Sequence, residues 1–184
     1  MSETIVFDRR TVLSGLAVTL LAACGRQSGD AAATEPAARG ETAVSEAEKQ
    51  QWALSEADWK QRLSRPEFYI LRQEGTEPPG SSDLLGEKRA GTYVCAGCGL
   101  ALFKSDWKYD SGTGWPSFYD HIASHIGTKT DFKLVLPRTE YHCARCGGHQ
   151  GHVFNDGPPP TGKRYCNNGL ALVFKPKSDG GDQA

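Results

Sequence analysis

The chain carries little excess of either charge, and its one leading apolar run is too short to cross a bilayer. Lys and Arg number 21 against 22 Asp and Glu, a net charge of −1. That balance excludes the broad positive field by which nucleic acid or an anionic surface is recognised. The apolar run from Thr11 to Ala23 falls well below the roughly 18–20 residues a spanning helix needs. Aromatics and large aliphatics other than Val44 are missing from residues 25–50. Nothing in that stretch repays the entropy of ordering it, which predicts a flexible tether over 24–50. No internal repeat is evident beyond two Cys pairs. What remains, 184 residues at 38% hydrophobic, holds one modest domain rather than two. Its 21 glycines and 10 prolines point to a turn-rich β fold, not a helical bundle.

Residues 1–23 read as an export signal. Arg9 and Arg10 precede the apolar run, in partial agreement with a twin-arginine signal, and a Sec-type signal fits as well. The run ends in Leu21-Ala22-Ala23-Cys24, which resembles a bacterial lipobox. Cys24 would then be lipidated and become the first mature residue. The location this implies is the bacterial cell envelope, with the protein anchored to the membrane and facing the periplasm in a Gram-negative host. Gly25 in place of Asp after the cysteine leans toward the outer membrane.

Order is expected from near Trp52, giving a domain over 51–176 and a frayed tail over 177–184. Ser55-Glu56-Ala57-Asp58 is a capping-box-like helix start, with Trp59 and Leu63 on one face. Pro66 closes that helix and opens another over Glu67–Gln73, which Gly75 stops. From Thr92 onward, short strand candidates are broken by Gly, Pro, Asn and Asp: Thr92–Cys95, Ala101–Phe103, Phe132–Leu136, Glu140–Cys143, His152–Phe154 and Leu170–Phe174. The expected class is mainly β and antiparallel, with short N-terminal helices.

Cys95-Ala96-Gly97-Cys98-Gly99 and Cys143-Ala144-Arg145-Cys146-Gly147 are two Cys-x-x-Cys-Gly knuckles, each closing a strand candidate. Four thiolates so arranged suit one tetrahedral Zn²⁺ with no open coordination position. Such a site clips two β segments together. The glycine after each second cysteine lets the backbone turn beneath the metal. Two local disulfides are the competing reading in an oxidising compartment. Neither pair has the strand-to-helix setting of a thioredoxin-type motif.

Setting those four and the lipobox cysteine aside leaves Cys166. If Lys163–Gly169 is extended, Arg164, Cys166 and Asn168 share one face. A guanidinium beside a thiol favours the reactive thiolate, and Asn168 can add a hydrogen bond without a competing charge. His149 and His152 would face opposite sides of a regular strand. A bulge at Gly151 would turn both toward one pocket, where an imidazole can give a proton to a leaving oxygen. Gly112-Thr113-Gly114-Trp115-Pro116 supplies an aromatic wall for such a pocket.

Over roughly Trp52–Lys175 the chain resembles the methionine-R-sulfoxide reductases of the B type. The likeness rests on Arg72-Gln73-Glu74-Gly75-Thr76-Glu77, both Cys pairs, Ser111-Gly112-x-Gly114-Trp115-Pro116-Ser117-Phe118, Gly151-His152-Val153-Phe154 and Arg164-Tyr165-Cys166-x-Asn168, all in the family's order. The resemblance implies two antiparallel sheets with a zinc clip. It makes Cys166 the nucleophile that attacks the sulfoxide sulfur and is left as a sulfenic acid. His149 and His152 become the pair that orients and protonates the oxygen. Trp115 packs on the substrate's ε-methyl group, Phe154 lines the same pocket, and Arg164 and Asn168 support the thiolate. Asp156 is expected to hold one of these groups by a hydrogen bond. The implied partners are methionine-sulfoxide-containing proteins or peptides and a thioredoxin-like thiol reductant, with the chain acting as a monomer and without nucleic acid.

One departure from the family bears on mechanism. Where many members carry a resolving cysteine, this chain has Thr113. The expectation is a one-cysteine cycle in which an external thiol attacks the Cys166 sulfenic acid. Asn167 and Gly169 also differ from the commoner residues. The rival readings, a zinc-ribbon-like binding module or an envelope metal-binding protein without turnover, leave Cys166 without a role.

Overall fold

In the computed structural model the described residues are 42–134 and 136–178. The expected signal over 1–23, the lipidation site Cys24 and the first part of the tether therefore lie outside them. Among the described residues three short helices come first: α1 (Glu46–Gln51), α2 (Glu56–Arg62) and α3 (Arg65–Gln73). Each opens on a serine in extended conformation whose hydroxyl accepts a backbone N–H three residues on: Ser45 from Glu48, Ser55 from Asp58, Ser64 from Glu67. These caps satisfy amides that the first turn leaves unpaired. Around Ser45 and Ser64, a glutamate also reaches back to the cap N–H, completing a capping box.

Helix α1 corrects the expected tether, whose last residues are ordered. The composition of 25–50 hides the reason: Val44 packs against the core and Glu48 pairs with Arg145 at 3.1 Å. The second helix ends at Leu63, not at Pro66, because Ser64 already caps α3 and leaves Pro66 in its first turn. The third ends on Glu74 in the left-handed region (φ 54°).

The strands are β1 (Gly91–Cys95), β2 (Ala101–Lys104), β3 (Lys108–Tyr109), β4 (Ser117–Phe118), β5 (Ile126–Asp131), β6 (Arg138–Cys143), β7 (His149–Phe154), β8 (Arg164–Asn167) and β9 (Leu172–Pro176). They form a three-stranded sheet in the order β2-β1-β9 and a six-stranded sheet in the order β3-β4-β8-β7-β6-β5. Every pairing is antiparallel, as expected. The core between the sheets is aromatic: Phe103 of β2 stacks on Phe118 of β4 with centroids 4.2 Å apart, and Tyr93, Tyr141 and Tyr165 pack around them. Trp59, Ile70 and Leu71 bring α2 and α3 into the same core. Among the described residues, no helix is long and apolar enough to cross a membrane.

Three expectations shift. In the expected strand Phe132–Leu136, the described residues 132–134 and 136 are not in a strand. The strand lies before it in the polar β5, and Asp131 turns the chain by accepting the Lys133 N–H at 2.8 Å. Strand β9 starts at Leu172 because the Glu77 carboxylate accepts the N–H groups of Gly169 and Leu170, drawing Gly169–Ala171 into a 3-10 turn. The expected tail is shortened as well, since Lys177 still donates its N–H to Ala90 at 2.9 Å.

Candidate active site

The bulge expected at Gly151 is present one residue earlier. Tyr141 pairs with Gly151 and His142 with His149, so β7 has one residue more than β6 and Gln150 is the extra one. The phase shift turns both histidines to one side, with ring centroids 5.5 Å apart. Gly151 itself is required by a close approach. A Cβ there would sit 1.9 Å from the Cys166 carbonyl oxygen on β8, so any side chain would force the two strands apart.

That contact sets the register. His152 and Cys166 are cross-strand partners, as are Phe154 and Arg164 one step along the same face. An open cleft of ≈ 130 Å³ lies over them, lined by Trp115, His152, Phe154, Cys166 and Asn168 among others. The cleft gathers five of the seven residues assigned to catalysis or substrate binding. Arg164 lies beside it and His149 lies beneath it, almost fully buried.

The two imidazoles are held by different carboxylates. His149 Nδ1 is 2.7 Å from Glu140 Oε1, and His152 Nε2 is 2.7 Å from Asp131 Oδ2. Glu140 also takes His142 Nδ1 at 3.0 Å. Burial pushes the Glu140 acid up, but the two histidine hydrogen bonds prevail and hold it at about 2. The Lys133 amide, followed by the His152 and Arg138 hydrogen bonds, outweighs burial and holds Asp131 well below the usual carboxylate range. Burial is the main influence on His152 and lowers it from the ordinary imidazole value, with Asp131 pulling the other way. Sequence reasoning missed both carboxylates. The available signal was Glu140 itself, an acid inside a strand otherwise expected to be buried.

Arg164 forms a two-pronged pair with Asp156, both distances 2.9 Å, and its guanidinium lies 4.3 Å from the centre of the Phe154 ring. The hydrogen bond expected of Asp156 is this one. The expected activation of the thiol is only partial. Burial raises Cys166 from its ordinary value, and the Arg164 charge and the Thr113 hydroxyl lower it without winning. At rest the sulfur is a thiol.

Asn168 is more committed than its place on the strand face suggests. Its carbonyl accepts the Glu77 N–H at 3.1 Å, and one amide hydrogen goes to the Gln150 carbonyl at 3.0 Å. One amide hydrogen remains for the cleft. Trp115 is fixed through its indole N–H, which donates to the Glu77 carbonyl at 3.0 Å. Glu77, given no role by sequence reasoning, thus touches the aromatic wall, Asn168 and the turn that follows it.

The four-cysteine cluster bridges the two sheets at the ends of β1 and β6. The sulfurs of Cys95, Cys98, Cys143 and Cys146 lie within 4.8 Å of one another. The Cys95–Cys146 and Cys98–Cys143 separations are 3.7 and 3.5 Å. Four sulfurs bound tetrahedrally at metal–sulfur lengths of about 2.3 Å stand about 3.8 Å apart, whereas a disulfide requires about 2.05 Å. The donor set therefore fits a metal ion. Gly99 and Gly147, at φ 75° and 67°, make the turns that fold each knuckle back, and their N–H groups reach the Cys95 and Cys143 carbonyls.

A family model described as the SelR domain matches residues 63–176. The chain is 52% identical over 127 residues to the peptide methionine sulfoxide reductase MsrB of Methanosarcina barkeri, covering 68% of this chain and 89% of that protein. It is 52% identical over 124 residues to the MsrB of Bradyrhizobium diazoefficiens, covering 67% and 89%. Against the chloroplastic peptide methionine sulfoxide reductase B1 of Arabidopsis thaliana it is 50% identical over 131 residues, covering 70% and 65%.

Proposed function

Since this chain belongs to the SelR-domain family of MsrB-type peptide methionine sulfoxide reductases, we propose that it reduces the R epimer of methionine sulfoxide to methionine, with Cys166 as nucleophile. The single observation that carries the assignment of roles is the cross-strand pair of His152 and Cys166 at the floor of a cleft walled by Trp115 and Phe154.

The substrate's methyl group packs on Trp115, which leaves the sulfur facing Cys166. The thiol transfers its proton through His152 toward the sulfoxide oxygen as its sulfur attacks the substrate sulfur. The oxygen passes to Cys166 as a sulfenic acid, and methionine leaves as the thioether. Cysteine sulfur is oxidised by two electrons and sulfoxide sulfur is reduced by two. An external thiol then attacks the sulfenic acid, releasing water and forming a mixed disulfide, and a second thiol resolves it to free Cys166. Thr113 stands where an internal thiol would otherwise intercept the intermediate. A thioredoxin-like dithiol is the class of donor, and the acting unit is the monomer.

Cys95, Cys98, Cys143 and Cys146 would hold one structural Zn²⁺, which would clip the two sheets together rather than take part in the chemistry. The chain is exported and anchored through Cys24 in the cell envelope. That reading rests on Arg9-Arg10, the short apolar run and the Leu21–Cys24 motif. Replacement of Cys24 by Ser should release the protein from the membrane fraction, and retention there would refute the anchor.

The deciding assay follows both epimers of a blocked methionine sulfoxide with dithiothreitol, wild type beside Cys166→Ser. Consumption of the R epimer alone, abolished in the variant with fold and zinc content intact, is expected. No turnover by folded, zinc-loaded wild type would overturn the reductase reading.

A further inference from the structure

Exposed large apolar side chains are few among the described residues, and three of them stand on one loop. Phe132, Leu134 and Leu136, at 74%, 58% and 76% exposure, follow one another between β5 and β6. The foot of this loop is fastened. Asp131 accepts from the Lys133 N–H at 2.8 Å and from the Arg138 guanidinium at 2.6 Å, and Lys133 Nζ lies 2.8 Å from Glu74.

A groove runs between the loop and the end of β7, lined by Leu134, Leu136, Pro137, Thr139, Val153 and Asn155. Arg138 and Phe154 border both this groove and the cleft over Cys166. The groove therefore adjoins the cleft across Arg138 and Phe154, with Cys166 on one side and an apolar shelf on the other.

We infer that the shelf binds an apolar side chain flanking the methionine sulfoxide, so that polypeptides with a hydrophobic residue beside the oxidised one are the preferred substrates. The inference rests on the reductase reading and names the substrate of that site. In an extended chain each residue advances about 3.3–3.6 Å, so near neighbours of the oxidised residue come within reach of a shelf that adjoins the cleft. An anionic membrane surface is the poorer occupant, because recognition of its headgroups calls for several unengaged cations. Here Lys133 and Lys129 are both taken by Glu74, and Arg138 by Asp131.

The test uses the full zinc-loaded chain with dithiothreitol and three R-sulfoxide substrates: the blocked amino acid, a pentapeptide with Leu on both sides of the sulfoxide, and its Ser-flanked counterpart. Wild type should favour the Leu-flanked peptide roughly tenfold in kcat/KM, mostly through KM, as expected for a partly buried leucine. The double variant Leu134→Ser, Leu136→Ser should lose that preference while turning over the blocked amino acid at the wild-type rate. Equal rates on both peptides in wild type, or a preference that survives in the variant, would overturn the inference. So would sedimentation with phosphatidylglycerol vesicles that the variant loses while its peptide preference is unchanged, which would assign the loop to a membrane. Failure of wild type on the blocked amino acid is a separate result, and it removes the reductase reading along with this one.

Discussion

His152 and Cys166 face each other across β7 and β8 as direct cross-strand partners, and burial displaces both from their ordinary titration ranges in opposite directions. The imidazole is lowered and the thiol is raised. Near neutrality these shifts favour an uncharged imidazole on one strand and a thiol on the other.

This sets the pH dependence. On the proposed mechanism the active arrangement, imidazolium with thiolate, carries the same number of protons as the resting imidazole and thiol. Its population is therefore constant between the two titrations. kcat/KM for a blocked R-sulfoxide should be flat across neutral pH, falling on the acid side below the usual imidazole range and on the alkaline side above the usual thiol range. A rate that climbs tenfold per pH unit from pH 6 to 9 would mean that the proton comes from solvent rather than from His152.

Asp131→Asn removes a charge from His152 and from Arg138. The Asp131 carboxylate raises the His152 pKa against burial, so its loss should lower that pKa further and move the acid limb to lower pH. Part of the general-acid contribution goes with the misoriented ring, a fall in kcat of roughly tenfold to a hundredfold. Nuclear magnetic resonance titration of His152 reads the shift directly. An unchanged His152 titration would separate the ring from Asp131.

Thr113 is close enough to hydrogen-bond the Cys166 sulfur. Wild type treated with one equivalent of sulfoxide should trap as a sulfenic acid adduct at Cys166, with no internal disulfide by mass spectrometry. Thr113→Cys should instead give a disulfide between the introduced thiol and Cys166. A disulfide in wild type would break the one-cysteine cycle.

Removal of metal should act on stability before chemistry. The four sulfurs join the end of β1 in one sheet to the end of β6 in the other. A strong chelator should strip about one zinc per chain and lower the melting temperature by about 10 °C or more. An unchanged melting temperature after complete stripping would refute the clip.

Much of this was legible in the sequence, because the signals were local. The serine caps, the two knuckles and the Cys166 strand each announce themselves within a few residues, and the bulge follows from a glycine between two histidines. What was illegible depended on distant partners. Asp131 and Glu140 are ordinary acids until β7 brings His152 and His149 to them. The apolar run at 132–136 reads as a strand by composition, yet after the turn at Asp131 its residues Phe132, Leu134 and Leu136 are exposed. Glu77 stands in a motif shared with the family, yet its role is not legible there, because its partners Trp115, Asn168, Gly169 and Leu170 are distant in sequence.

The contacts of Glu77 have a consequence for selectivity. Its carbonyl fixes the Trp115 indole, its N–H fixes Asn168, and its carboxylate fixes the turn behind the nucleophile strand. Aromatic wall and nucleophile cannot drift apart, so the distance between them is decided when the chain folds and not when substrate arrives. On the proposed mechanism, stereochemical discrimination would then come from a gauge of constant width: one epimer would present its oxygen toward His152 with its methyl on the ring, and the opposite epimer could satisfy only one of those contacts at a time.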